Sequence, residues 1–337
     1  MKKKTRVSLR HAFVAPKGML IASSDFSAQE FRNAGALSKD VNIAKIYKLE
    51  KEYIDKIRPK PINPLTNKSY DDPACDPHIQ AAVPLDNEVK RIVLEEPWRA
   101  IKEDLHVGPW RQKGKVMNYR LIYLCSAMSL APELGVSKEE AQAFIDKYFS
   151  YPDGFYGLGE YLKSTALIGS EVRWVRTATG ELIFVNESNS KGLSDSGAAS
   201  RKSVNSPNQG LGSTQKKIAL ALADKKFTKL NDKYRNVIRG REGVLGGEIH
   251  DESLAFIPGE CYFHLVPDEK LNEKYNTDIY VKPQVEFDEN IGEHALALEY
   301  GAALKSSMEE AMQETFDIIG TDIPPGSSVE VAPWWIH

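Results

Sequence analysis

Strand-like apolar patterns near both ends of the chain and helical periodicity through its middle predict an α+β fold. Three observations carry this expectation. Strand-like runs flank turn signals at 12–25 and again at 245–257, while most of the sequence between them repeats its apolar residues at helical spacing. The third is length: 337 residues exceed the usual single-domain size, so one large or two closely packed domains are expected. Hydrophobic residues make up 42% of the chain, enough for a sizeable core, and a net charge of −3 excludes a polycation. Any contact with a polyanion must therefore come from local clustering of cations.

From Ala12 to Asp25 the pattern is AFVA, a Pro-Lys-Gly turn and MLIASSD, two strands about a tight turn. Ser27, with Glu30 three residues on, matches a capping box and opens a helix to about Leu37. Residues 40–58 are helical and charged, and 59–85 hold six prolines and form an ordered connection. Periodicity returns at 86–105; Pro109 marks a new start, and one long helix covers Trp110–Leu130. Ser137 and Glu140 form a second capping box, opening a helix through Tyr148, and Gly154–Leu167 is helical again. Glu171–Val175 and Leu182–Val185 alternate around Thr179-Gly180 as a hairpin. Residues 186–200 are the least hydrophobic stretch and predict a mobile loop. Ser206-Pro207 pairs an N-cap with proline at the first helical position, starting a helix to about Lys229. Leu245–Ile249 and Ser253–Ile257 make a second hairpin with His250-Asp251 near its tip, and a last helix covers about Gly292–Thr315.

The three cysteines, Cys75, Cys125 and Cys261, show no CxxC pairing. That argues against a zinc site and a disulfide scaffold, and suits a reducing compartment. The basic start MKKKTRVSLR lacks the apolar stretch of a signal peptide, and no apolar run reaches the length of a membrane span. A cytoplasmic location is expected.

Two constellations can carry chemistry. Asp25 and Asp251 each fall where a strand should end. Two such carboxylates can hold a pair of magnesium ions about 3.5–4 Å apart, although either aspartate taken alone reads more readily as a turn residue. Arg111, Lys115, Tyr119 and Tyr123 recur every fourth residue, advancing about 40° per step, so they share one helix face. The two cations occupy the first turns, where the helix dipole and free N–H groups favour anions. An amphipathic helix with snorkelling cations and core tyrosines would look the same in isolation. Together, a metal-binding carboxylate pair, a cationic face for a triphosphate and aromatic rings for a nascent base pair are what template-directed nucleotide transfer requires.

The sequence also resembles a known family. Asp25-Phe-Ser-Ala-Gln-Glu30-Phe-Arg32 is similar to DYSQIELR, motif A of family A DNA polymerases, the group of bacterial DNA polymerase I and related phage replicases. The run from Arg111 through Lys115 and Tyr119 to Tyr123 resembles their fingers-helix motif B, and Ile249-His250-Asp251-Glu252 resembles VHDE, motif C. Residues 10–16 are similar to the family's RQAFIAP, Asp76-Pro-His78 to its DxH, and the run Arg201 to Gly210 to RxxxNxPxQG. The matches keep family order over nearly the whole chain.

The resemblance implies a polymerase palm, an antiparallel sheet with helices, at 1–38 and 200–337, with a mainly helical fingers insertion at 39–199. It implies addition of deoxynucleotides to a primer 3′ end, with two Mg2+ ions held by Asp25 and Asp251 and with Glu252 as an accessory carboxylate. His250 would lie against the primer terminus, and Arg111, Lys115 and His78 would hold the triphosphate. Tyr119 stands at a position whose Tyr form is associated with accepting dideoxynucleotides. Tyr123 would bound the nascent pair and contact Glu30, which would exclude a ribose 2′-hydroxyl. Arg201, Asn205 and Gln209 would face template and primer, using minor-groove acceptors common to all base pairs.

Some positions depart from the family pattern: Ala28 for glutamine, Arg120 and Leu124 for glycines, and Thr214 for aspartate. The family's thumb, the LSSxxPNLQNIP stretch and any exonuclease domain find no match, whereas the His337 end looks complete. The expectation is one piece of a split polymerase, partnered by primer–template DNA, dNTPs and a protein supplying the thumb, in a bacterial or phage-infected cell. The alternatives are a single-subunit RNA polymerase-like enzyme, against which Glu30 argues, and a catalytically silent DNA-binding or assembly subunit.

Overall fold

The structure, a computed structural model, describes residues 13–185, 196–238, 240–249, 252–259, 262–267, 269–274, 276, 281–286, 293–332 and 335. In chain order it runs β1 (Met19–Phe26), α1 (Gln29–Ser38), α2 (Val41–Ile54), α3 (Pro77–Ala82), α4 (Asn87–Glu95), α5 (Val107–Leu121), α6 (Ala127–Leu134), α7 (Lys138–Tyr148) and α8 (Tyr156–Val172). The hairpin β2 (Trp174–Arg176) and β3 (Leu182–Phe184) follows, then α9 (Ser196–Lys233), α10 (Arg235–Ile238), β4 (Val244–Ile249) and β5 (Glu252–Pro258). The chain closes with β6 (Tyr262–Pro267), α11 (Glu269–Lys274), β7 (Val281–Glu286), α12 (Glu293–Ile319) and β8 (Ser327–Ala332). Contacts group these into two units: Met1–Ser27, Gln215–Met312 and Pro325–His337 in the first, Ala28–Thr214 and Gln313–Pro324 in the second.

The first unit is built on an antiparallel sheet of order β4-β5-β1-β8. β1 is central, and its residues Leu20 to Ser24 are all buried. Leu20 and Ala22 pack with Ala255 and Ile257 of β5 against Ala223 and Phe227 of α9 and Leu296, Ala297, Tyr300 and Leu304 of α12. The α12 residues recur at helical spacing and form one apolar stripe. Each large side chain so buried contributes roughly 1.5–3 kcal/mol. The β4–β5 register shifts between Leu245 and Gly247. At Gly246 a Cβ would lie 2.8 Å from the Phe256 ring, so the bulge needs glycine there. β6 and β7 form a separate antiparallel ribbon.

Among the described residues the second unit is helical apart from β2–β3 and an isolated bridge between Ile62 and Ser69. Asp40, only 2% exposed, accepts from Asn42 and Ile43 N–H at the start of α2 and, with its other oxygen, from the Leu158 N–H of α8 at 3.0 Å. One carboxylate thus caps one helix and ties down another. Arg32 of α1, 2% exposed, stacks 3.8 Å above the Tyr47 ring, pairs with Glu50 of α2 and donates to the Pro324 carbonyl at 2.8 Å. Among the described residues no helix is long and apolar enough to cross a membrane.

Several local expectations hold. The capping box at Ser137–Glu140 is formed in both directions, and both hairpins pair antiparallel. Others fail for identifiable reasons. Ser27 does not cap α1: the N-cap is Ala28, in the left-handed region at φ 49°, with no side-chain cap bond, so the Ser27–Glu30 box does not form. The helix expected over Trp110–Leu130 is two, because Leu124 turns left-handed at φ 55° and Ser126 caps α6. Pro207 starts no helix. It is buried inside α9, where Ser203 donates to Thr165 O at 3.1 Å and Asn208 to Glu30 O at 3.0 Å. These tertiary bonds hold the backbone helical despite the missing N–H. Of the expected loop at 186–200, residues 196–200 belong to α9 and 186–195 lie outside the described residues.

Candidate active site

The first constellation sits at one end of the four-stranded sheet. The β1–β5 register sets Asp25 opposite Glu252 and Ser24 opposite Ser253, while β8 brings Ser328 to the other side of Asp25. Side chains alternate along a strand, so Ser23 and Asp25 share a face with Glu252. The Glu252 side chain is buried, 4% exposed. Its Oε1 accepts from the Ser23 hydroxyl and, at 2.5 Å, from the Trp335 indole N–H. The Lys216 ammonium donates to the Glu252 backbone carbonyl. Trp335 also donates its backbone N–H to Phe13 O at 3.0 Å and meets the Phe13 ring edge-on at 5.7 Å. Glu252 therefore knits β1, β5 and the 335 segment together beside Asp25.

Asp25 itself is half-buried at the penultimate position of β1. A hard carboxylate oxygen there, on a strand fixed from both sides, fits a magnesium ion. His250 and Asp251, the expected tip of the β4–β5 hairpin, lie outside the described residues. Among the described residues no three His, Cys, Asp or Glu side chains form a metal-binding group.

The second constellation belongs to α5. Gly114 lets this helix approach α3 closely: a Cβ there would fall 2.1 Å from the His78 carbonyl oxygen. Asp76 caps α3 through Oδ1, which accepts from His78 N–H at 2.8 Å and Ile79 N–H at 3.2 Å. Its Oδ2 accepts from Arg111 Nε at 2.6 Å. Thus one carboxylate aims the Arg111 guanidinium. A cavity of about 430 Å³ opens beside them, lined by Glu50, Tyr53, Asp72, Cys75, His78 and Arg111 among others. Burial pushes the Cys75 thiol up to about 12, with the Asp72 charge adding to the effect, so it is not a nucleophile near neutral pH. Burial also lowers His78 to about 4; Asp76 opposes this and the Arg111 and Lys115 charges reinforce it. Lys115 is exposed on the same helix.

Further along α5, a cavity of about 280 Å³ is lined by Tyr119, Tyr123, Leu124, Cys125, Ser129 and Arg201, with Arg120 and Ser126. The Tyr119 ring lies 5.9 Å from that of His78. The Tyr123 hydroxyl is buried beside Glu30 and Gln209, closing a well-formed hydrogen bond to neither. Burial first, and then the Glu30 carboxylate, raise its pKa above the ordinary 10. Arg201, Asn205 and Gln209 recur every fourth residue on α9, with Arg201 and Gln209 exposed. The helical unit therefore gathers His78 with Arg111, and Tyr123 with Glu30 and Gln209. It also contains residues that sequence reasoning missed: Asp76 as the anchor of Arg111, and the buried pair Asn118 and Tyr148. A buried asparagine within an apolar helix stretch was the available signal.

The sequence model described as DNA polymerase family A matches residues 92–285. The chain belongs to DNA polymerase family A. Family resemblance extends to individual members: the chain is 30% identical to DNA polymerase I of Pseudomonas aeruginosa over 217 residues, 64% of this chain and 19% of that protein. Against the thermostable DNA polymerase I of Thermus aquaticus it is 25% identical over 252 residues, 75% of this chain and 24% of that protein. The matched part thus spans about a fifth to a quarter of these family members. Among solved structures, the POL domain of Pol1 from M. smegmatis, in complex with DNA primer-template and dNTP, superposes with a TM-score of 0.61 at 20% identity. That match covers 99% of this chain and 44% of the other, and it establishes a mixed fold of the polymerase palm and fingers type.

Proposed function

We propose that this chain is the catalytic part of a template-directed DNA polymerase, adding deoxynucleotides to a primer 3′ end. The palm is assigned to 1–38 and 200–337 and the fingers to 39–199; the contact boundaries at Ser27 and Thr214 fall within those palm segments. The observation that carries the reading is α5 and its surroundings. Arg111 of α5 and His78 of α3 line one cavity; Tyr119 lines another with Tyr123, which follows the end of α5 at Leu121 and lies beside Glu30.

In this reading Arg111, Lys115 and His78 orient the triphosphate, and orientation with charge complementarity is most of what phosphoryl transfer asks of a protein. Tyr119 and Tyr123 bound the nascent pair. Glu30, beside Tyr123, occupies the space a ribose 2′-hydroxyl would need. Arg201, Asn205, Gln209 and His250 contact template and primer. Asp25 and Asp251 would hold two Mg2+ ions, which when bound supply activation of the 3′-hydroxyl and charge neutralisation at the leaving pyrophosphate. Glu252 has an accessory role, keeping β1 and β5 in register beside Asp25 through Ser23 and Trp335.

Nucleotide incorporation with the native chain and with Asp251→Ala tests the reading. Template-dependent extension that is lost in the variant supports it. Equal extension removes Asp251 from the chemistry, and none in either, even with thumb-bearing candidate proteins added, favours the silent DNA-binding subunit. Preference for ribonucleotides would favour the RNA polymerase alternative.

A further inference from the structure

Asn118 lies in α5, one turn beyond Gly114, and is 1% exposed. Its Nδ2 donates to the Pro77 carbonyl at 2.9 Å and lies 3.1 Å from His78 Nδ1. Its Oδ1 accepts from the Tyr148 hydroxyl at 2.8 Å, a bond buried between α5 and α7. These partners leave the amide one orientation. A carbonyl such as that of Pro77 can only accept, so the atom facing it must be the NH2 group. The second hydrogen of that group then faces His78 Nδ1. A proton on Nδ1 would set donor against donor in a buried site, which is costly.

We infer that Asn118, held by Tyr148, locks His78 as the neutral tautomer with its proton on Nε2, leaving that N–H as a donor for a triphosphate oxygen. The inference rests on the proposed role of His78 and deepens it: Asn118 and Tyr148 are positioning residues that act through His78. A neutral donor at this place has a physical logic. Arg111 and Lys115 already supply positive charge to the same helix face, and a third cation beside them would be disfavoured. The groups facing His78 sort accordingly. Asp76 at the start of α3 favours protonation, Arg111 and Lys115 of α5 oppose it, and burial opposes it most. The Tyr119 ring and the Asn118 amide flank it without charge, while Glu50, Lys60, Asp71 and Asp72 line the same cavity. The Nδ1–Nδ2 contact adds the direction that charge alone cannot give, by choosing which nitrogen keeps the proton.

The test is side-chain ¹⁵N spectroscopy of the full chain labelled at its seven histidines, with the His78 signals assigned by their loss in His78→Gln. The native protein is expected to show the Nε2–H pattern for His78, persisting below the ordinary histidine range of pH. Asn118→Asp replaces the donor with an acceptor opposite Nδ1, so His78 is expected to move to the protonated or Nδ1–H form, its pKa rising by at least about one unit. Should that variant not fold, Tyr148→Phe keeps the ring and removes only the hydroxyl; His78 must then titrate measurably higher. A native Nδ1–H pattern, or spectra unchanged in the variant that folds, overturns the inference. Binding of dATP by equilibrium titration separates it from the reading beneath it. His78→Gln, Asn118→Asp and Tyr148→Phe are expected to weaken dATP binding, the first two about tenfold and the last about threefold. If His78→Gln weakens binding and the charge-neutral Tyr148→Phe leaves both dATP affinity and the spectrum native, the lock fails and the triphosphate role of His78 stands. If His78→Gln binds dATP normally, the triphosphate role itself falls, and the inference with it.

Discussion

The sheet end around Asp25 and the cationic face of α5 solve opposite problems. At the sheet end, position is set by backbone register and by dry bonds: Glu252 is buried and holds both the Ser23 hydroxyl and the Trp335 indole. On α5 the charged groups are part-exposed, and Arg111 is aimed by a carboxylate that also caps a neighbouring helix. The first arrangement cannot lose Glu252 without loss of stability; the second can lose a side chain and still fold. On the proposed reading, a carboxylate site for small, highly charged ions needs rigidity, whereas a triphosphate site can rely on several longer side chains sharing the charge.

The comparison breaks most visibly at Asp25. Asp25→Ala is expected to slow primer extension at least about 1000-fold, roughly 4 kcal/mol of barrier, with an unchanged circular dichroism spectrum. Near-native rates under saturating magnesium would remove Asp25 from the chemistry. Next is Glu252→Ala, which strands two buried donors and is expected to cost about 3 kcal/mol of stability in urea unfolding. A loss of activity without a loss of stability would show Glu252 to act on the metals directly, and would blur the contrast drawn here.

On the helical side the effects are smaller and fall on selectivity. Glu30→Ala should relax discrimination against ribonucleotides by roughly 10–100-fold in competition assays, because a steric block is removed while Tyr123 remains. No change in that ratio would refute the assignment of Glu30. His78 gives a pH signature. Its folded pKa, about 4, lies below the ordinary 6.5, so as pH falls the unfolded chain takes up the proton first. Its contribution to stability is complete above about pH 6.5 and declines toward pH 4. The native-minus-His78→Gln difference in urea midpoint should narrow across that window. A difference that widens would reverse the sign of the shift. The smallest effect concerns neither site: Lys39 ends α1 at φ 53°, and Lys39→Gly should raise stability by about 1 kcal/mol. Thermal denaturation would detect it, and a loss of stability would mean the lysine side chain itself contributes.

Much of this architecture was legible in the sequence where the determining forces are local. Ser137 and Glu140 form their box from bonds spanning three residues within one helix start, and the β4–β5 pairing follows from alternation along two neighbouring segments. The same pattern misled at Ser27, where Ala28 takes the left-handed conformation between β1 and α1. It misled again at Pro207, where bonds from Ser203 and Asn208 to distant carbonyls hold α9 through a residue that locally marks a beginning. Asp25, Arg111 and Tyr123 stood out because a motif carries them. Asp40, Asn118 and Tyr148 did not, because their partners lie 30 to more than 100 residues away and no spacing along one helix announces them.

The contact at Gly114 has a mechanical consequence. With the His78 carbonyl where any Cβ at 114 would sit, and with Asn118 bonded to Pro77 and His78, α3 and α5 cannot slide past one another. They behave as a single stiff cassette. Whatever motion α5 undergoes, the spacing of His78 and Arg111 travels with it unchanged. Native-state hydrogen exchange should find the two helices opening as one unit, and separate opening energies would contradict the cassette.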